Sequence, residues 1–142
     1  MKYFTLVELC KTNKNLENSP NPEQIGNLTY LVDTILDYAR EKLGKPITIS
    51  SGYRSQAVNK AVGGVSSSQH TKGQAADLIC SDNAKLFEII KEQGNFDQLI
   101  WEFGNDKQPN WVHVAITKYG KNRNQCLKSI KQNGKTIYQT IK

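Results

Sequence analysis

The chain has 142 residues, 23% charged and 37% hydrophobic, which suits one soluble globular domain spanning 1–142 with a core of its own. Its first fifteen residues, MKYFTLVELCKTNKN, hold no long apolar run, so neither a signal peptide nor a membrane span is expected there. The net charge of +6 favours acidic partners, but the lysines are dispersed without a basic run, which argues against nucleic-acid binding.

Thr5-Leu6-Val7-Glu8 has the spacing of a capping box and predicts a short helix. Asn18 to Pro22 is a turn, after which Asn21 is an N-cap with Pro22 at the first helical position and Gln24 at the third. Ile25, Leu28, Leu31, Val32, Ile35, Leu36 and Ala39 then recur at helical spacing as far as Gly44. That pattern predicts one long amphipathic helix whose apolar stripe needs a sheet to pack on. A strand is expected over 46–50, then a glycine turn over 51–55 and a short helix over 56–62 ending at Gly63-Gly64. Further strands are expected over 74–80, 96–103 and 111–116, with a helix capped by Asp82 running to Gln93. Asn133-Gly134 between two strand-like runs is a hairpin signal. Helices and strands mix without strict alternation, so the class is α+β.

Three scattered cysteines without a C-x-x-C pair fit synthesis in a reducing cytosol. The polar groups are more telling. Asp77 sits inside the apolar run Ala75-Ala76-Asp77-Leu78-Ile79, and a buried carboxylate is costly unless it is paired or bound to a metal. Strand alternation places Ala75 and Asp77 on one face, Trp111, His113 and Ala115 on another, and Gln98, Ile100 and Glu102 on a third. Both histidines, His70 and His113, belong to this set, and two imidazoles with a carboxylate make a catalytic zinc set with one position left for water. A loop histidine and a satisfied core histidine are the other reading of the same residues.

Ser68 to Asp77 reads S-x-H-x-x-G-x-A-x-D, Ser51-Gly52-Tyr53-Arg54-Ser55 reads S-G-Y-R-S, and Trp111-Val112-His113-Val114 reads W-x-H-x. In that order these motifs resemble the zinc D-alanyl-D-alanine carboxypeptidases and related peptidoglycan peptidases, over about Phe4 to Ala115. The resemblance implies an antiparallel sheet with flanking helices, a fold shared with hedgehog signalling domains. It implies Zn2+ held by His70, Asp77 and His113. Arg54 would bind a substrate carboxylate or the carbonyl oxygen, and Ser68 would orient substrate. Gly73 would serve a tight turn, and Asn59 would support the arginine turn.

Many members of that family carry the general base as an acid three positions before the last histidine, where this chain has Asn110. Glu102 is the expected substitute, with Asp106 second. The implied activity is that of a zinc metallopeptidase cutting beside a D-amino acid in peptidoglycan, in the manner of an endolysin. A non-catalytic zinc-containing binding domain of the same fold is the alternative. The expected partner is a stem peptide or another D-amino-acid-containing peptide, with no nucleic acid and no membrane. A monomer is expected, made in the cytoplasm without a signal peptide and acting on the cell wall after release.

Overall fold

The helices begin where their capping residues stand. In the computed structural model, which describes residues 1–142, Thr5 and Glu8 exchange reciprocal bonds at the start of α1 (Leu6–Leu9). Asn21 and Gln24 do the same at α2 (Pro22–Leu31), with Pro22 in the first turn. The predicted long helix is a single rod containing one wide turn. From α2 the chain passes through a π-helical turn, Val32–Leu36, into α3 (Asp37–Leu43), and Gly44 ends it in the left-handed region. Gln93 donates its amide N–H to the Thr34 carbonyl inside that turn at 2.7 Å.

Then follow β1 (Thr48–Ser51), α4 (Gln56–Ala61), a 3-10 turn (Gln69–Lys72), β2 (Ala75–Ile79) and α5 (Asn83–Gln93). The remaining strands are β3 (Gln98–Glu102), β4 (Trp111–Ala115), β5 (Gln125–Gln132) and β6 (Lys135–Thr140), the last two forming the hairpin at Asn133-Gly134. The six strands lie in the order β1-β2-β4-β3-β5-β6.

The α+β class stands, but the sheet is mixed rather than antiparallel: β5 runs parallel to β3. The cause is the return of the chain after β4. Buried Asp97, just before β3, accepts two bonds from the Arg123 guanidinium at 2.9 Å and one from the Arg123 N–H. That clasp brings the loop back to the beginning of β3, so β5 must leave in the same direction.

Alternation gives the sheet two different faces. Ala76, Leu78, Leu99, Val112 and Val114 point to the side covered by the helical rod and α5, where Leu28, Leu31, Ile35, Phe87 and Ile90 complete the core. Asp77, His113 and Glu102 point to the other side, which no long helix covers.

Gly73 closes the 3-10 turn before β2 at φ 72°, and a Cβ there would stand 2.5 Å from the Gln24 carbonyl oxygen. Gly73→Ala therefore meets both backbone strain and a collision with α2. The expected loss is about 1–3 kcal/mol, seen as a fall of several degrees in thermal melting.

Candidate metal centre

β2 and β4 are paired so that Asp77 stands opposite His113, and β3 continues the same rung with Ile100. His70 comes from the 3-10 turn, whose first turn is capped by Ser68: its hydroxyl accepts the His70 N–H at 3.2 Å. Three separate segments thereby deliver three side chains to one place. Asp77 Oδ1 lies 3.4 Å from His70 Nε2 and 3.0 Å from His113 Nδ1, and the two imidazoles meet edge-on with centroids 5.2 Å apart. All three residues offer donor atoms within 4.8 Å of one another.

The hydrogen-bond chemistry decides what these atoms face. His70 Nδ1 is 2.7 Å from the Gly52 carbonyl oxygen, which can only accept. Nδ1 therefore carries the proton, and in the neutral ring Nε2 turns a bare lone pair toward a carboxylate oxygen. A metal ion between these two acceptors would satisfy both at once. Four tetrahedral ligands at about 2.1 Å from an ion stand about 3.4 Å apart, the separation of His70 Nε2 and Asp77 Oδ1, whereas His113 Nδ1 stands closer to the carboxylate at 3.0 Å. Two nitrogens, one carboxylate oxygen and a free fourth direction fit Zn2+, and Nδ1–H bonded to a backbone carbonyl is the usual outer support of a zinc-ligating imidazole.

Asp77 is charged here. Burial opposes its ionisation, but His70 and His113 beside it outweigh that and hold its carboxyl well below the usual carboxylate range. Arg54 adds to the balance through Nη2, 3.4 Å from Asp77 Oδ2. The guanidinium is also fixed by Nε to Ser51 Oγ at 2.9 Å and Nη1 to Asn59 Oδ1 at 3.2 Å. Asn59 in turn donates to the Val65 carbonyl at 2.7 Å, so it supports both the arginine and the loop above the site.

Arg54, His70, Asp77 and His113 line an open cleft of about 590 Å³ together with Ser68, Glu102, Trp111 and Tyr138. Glu102 is buried and lies one register step beyond His113, on the same sheet face. Its Oε1 accepts from Ser129 Oγ at 2.6 Å. Burial pushes the Glu102 carboxyl above its ordinary value and the Asp77 charge adds to this, while the Ser129 hydroxyl and His113 pull it back. The Trp111 indole N–H lies beside the same carboxyl, outside hydrogen-bonding geometry and without another partner.

Asp106 does not reach the cleft. It is exposed on the β3–β4 loop, paired with Lys128, and borders a different hollow beside Phe87 and Trp101. Asn110 is exposed at the foot of β4, where its backbone N–H donates to the Glu102 carbonyl, and its side chain does not line the cleft. Ser68 lines the cleft, and its hydroxyl is engaged by the His70 N–H.

Sequence reasoning passed over three parts of this arrangement. The Gly52 carbonyl is a backbone group and carries no residue signature. Ser51 is one serine among many. Ser129 and Tyr138 come from the C-terminal hairpin, whose place beside β3 follows from the parallel pairing alone.

A family model described as peptidase M15 matches residues 2–115. A zinc D-Ala-D-Ala carboxypeptidase of Streptomyces albus G is 38% identical over 77 residues, covering 53% of this chain. The match spans 30% of that relative's length.

One zinc per chain is expected, measured by elemental analysis after dialysis against trace metal. His113→Ala and Asp77→Ala should each lose most of it, and both should forfeit the rise in melting temperature that added zinc gives the unsubstituted protein. A protein that takes up no zinc at micromolar concentration would overturn the assignment.

Proposed function

The chain belongs to the peptidase M15 family, and on that premise we propose that it is a zinc metallopeptidase cleaving a peptide bond next to a D-amino acid in peptidoglycan. The observation that carries the reading is the opening of the His70-Asp77-His113 donor set, a fixed guanidinium and a buried carboxyl into one cleft. The name of the Streptomyces relative supports zinc and a D-Ala-D-Ala terminus as the substrate chemistry.

Zinc held by these three residues supplies Lewis acidity, which makes water a competent nucleophile near neutral pH. The chain's own groups do the rest. Glu102 Oε1 is occupied by Ser129 and the residue lines the cleft, so the other oxygen, Oε2, is the atom assigned to accept a proton. It takes the proton that water releases on attacking the carbonyl carbon and returns it to the amine nitrogen as the C–N bond breaks. A pKa raised by burial suits both halves of that transfer.

Arg54 keeps a permanent charge at the rim, where it meets either the terminal carboxylate of the substrate or the oxygen that becomes negative as the carbonyl is attacked. The acid missing at Asn110 is supplied from β3 instead of from the β4 approach. That substitution favours catalysis over the non-catalytic binding domain.

The biological setting we attach to this chemistry is cell-wall degradation of the endolysin kind, by a monomer made in the cytoplasm and acting on the wall after release. Neither nucleic acid nor membrane enters as a partner. No helix is long and apolar enough to cross a membrane.

The test is hydrolysis by zinc-loaded protein of purified peptidoglycan and of a short peptide ending in D-Ala-D-Ala, with new amino groups counted and products weighed by mass spectrometry. Glu102→Gln should keep zinc and fold yet lose about a hundred- to ten-thousandfold in kcat, because the amide preserves shape without accepting the proton. Asp106→Asn should change little. The opposite pattern would move the base to the loop, and an inactive zinc-loaded wild type would leave the binding domain.

Arg54→Ala should lower kcat/KM by about a hundredfold or more. Arg54→Lys should recover little of it, since an ammonium cannot hold Ser51, Asn59 and the substrate with one planar fork. Steady-state kinetics on the same peptide decides this, with zinc content measured alongside because Arg54 also faces Asp77.

A further inference from the structure

The carboxyl of Glu102 is held by a strand that lies outside the residues 2–115 matched to the family. β5 runs parallel to β3 in a register that puts Ser129 directly beside Glu102, and Tyr138 of β6 continues the same rung. Ser129 is fully buried. Its hydroxyl has two neighbours of opposite kind: the Phe103 N–H at 3.2 Å, which can only donate, and Glu102 Oε1 at 2.6 Å. The amide can only donate to the hydroxyl, and the ionised carboxylate can only accept, so the hydroxyl sends its single proton to Oε1 of the proton-accepting form of Glu102.

The main chain here is fastened by the same residue. The Ser129 carbonyl accepts the Phe103 N–H at 3.1 Å, and Phe103 and Gly104 turn through positive φ, 56° and 71°. A residue such as phenylalanine adopts that conformation only when its surroundings impose it. Ser129 grips both the carboxyl and the backbone directly after it, which leaves Oε2 as the free oxygen.

We infer that Ser129 is a positioning residue for the reaction: it fixes the Glu102 carboxyl with Oε1 turned into the sheet and Oε2 turned to the cleft. This rests on the reading of Glu102 as the proton acceptor. A serine that merely filled the space between β3 and β5 would affect folding, and any effect on turnover would not depend on the carboxylate.

The experiment compares zinc-loaded full-length wild type, Ser129→Ala, Ser129→Thr, Glu102→Gln and the Ser129→Ala/Glu102→Gln double variant on the D-Ala-D-Ala peptide. Zinc content and melting temperature are recorded for each. Ser129→Ala is expected to lower kcat between about tenfold and a hundredfold, with KM and zinc content near those of wild type. Ser129→Thr should recover most of that loss because it keeps the hydroxyl. On the Glu102→Gln background, read over extended incubation, removing the hydroxyl should change the rate by less than about twofold, the signature of two residues acting as one unit.

Equal fold losses on both backgrounds, or an unchanged kcat in Ser129→Ala, would overturn the inference while leaving the peptidase reading intact. Ser129→Cys, similar in volume but a weak donor, provides a second removal of the bond should alanine impair folding. A wild type that hydrolyses nothing when loaded with zinc fails at the earlier step and removes the peptidase reading and this inference together. Turnover unaffected by Glu102→Gln removes the base assignment, and Ser129 with it.

Discussion

Asp77 is a negative charge in the middle of a sheet, and the surrounding site is what that charge requires. A carboxylate with apolar neighbours on both sides along its strand is stable only with cationic or proton-donating partners around it. Here those partners come from three directions: His113 from the neighbouring strand, His70 from the 3-10 turn and Arg54 from the turn after β1. None is near Asp77 by local chain geometry except His70. The ligand set is therefore a product of the sheet, and its assembly cannot precede the pairing of β2 with β4.

The turn over Ser51 to Arg54 supports two members of this set at once. Its Gly52 carbonyl fixes the His70 tautomer, and its Ser51 hydroxyl fixes the Arg54 guanidinium. Gly52 is required because a Cβ there would stand 2.3 Å from the Leu9 carbonyl oxygen of α1. The Tyr53 N–H donates to that same carbonyl at 2.7 Å. The first helix, remote from the chemistry, thus sets the height of the turn and with it the direction of an imidazole. Outer supports of this kind matter nearly as much as the ligands, since they decide which nitrogen is available.

The division of the sheet into two faces explains how a polar cleft coexists with a core sufficient for folding. One face is buried by the helical rod and α5 and is apolar along β2, β4 and β3. The other carries the ligands, with small Ala75 and Ala115 on the rung before them. The parallel strand β5 then closes the far end of that face. It supplies the hydroxyl that satisfies Glu102 inside the protein, so the acid tolerates burial with a raised pKa instead of escaping to solvent.

Much of this was legible in the chain of residues, for reasons that are local. Capping at Thr5 and Asn21, the helical period from Ile25 to Ala39, the Asn133-Gly134 hairpin and the left-handed glycine at 73 each depend on a few adjacent residues. So does the alternation that put Asp77, His113 and Glu102 each on a defined strand face, and the motifs around His70 and His113 carried the resemblance that implied these donors. Tertiary structure alone decided what depends on distance. It made the sheet mixed, because the Asp97–Arg123 clasp returns the chain to the start of β3. It separated Glu102 from Asp106, two acids four residues apart, because the turn at Phe103 and Gly104 sends one into the cleft and the other to Lys128 on the surface. It also joined Ser129 to Glu102 across 27 positions of sequence, since a hydrogen bond needs atoms within about 3 Å and only a packed sheet brings such distant residues that close.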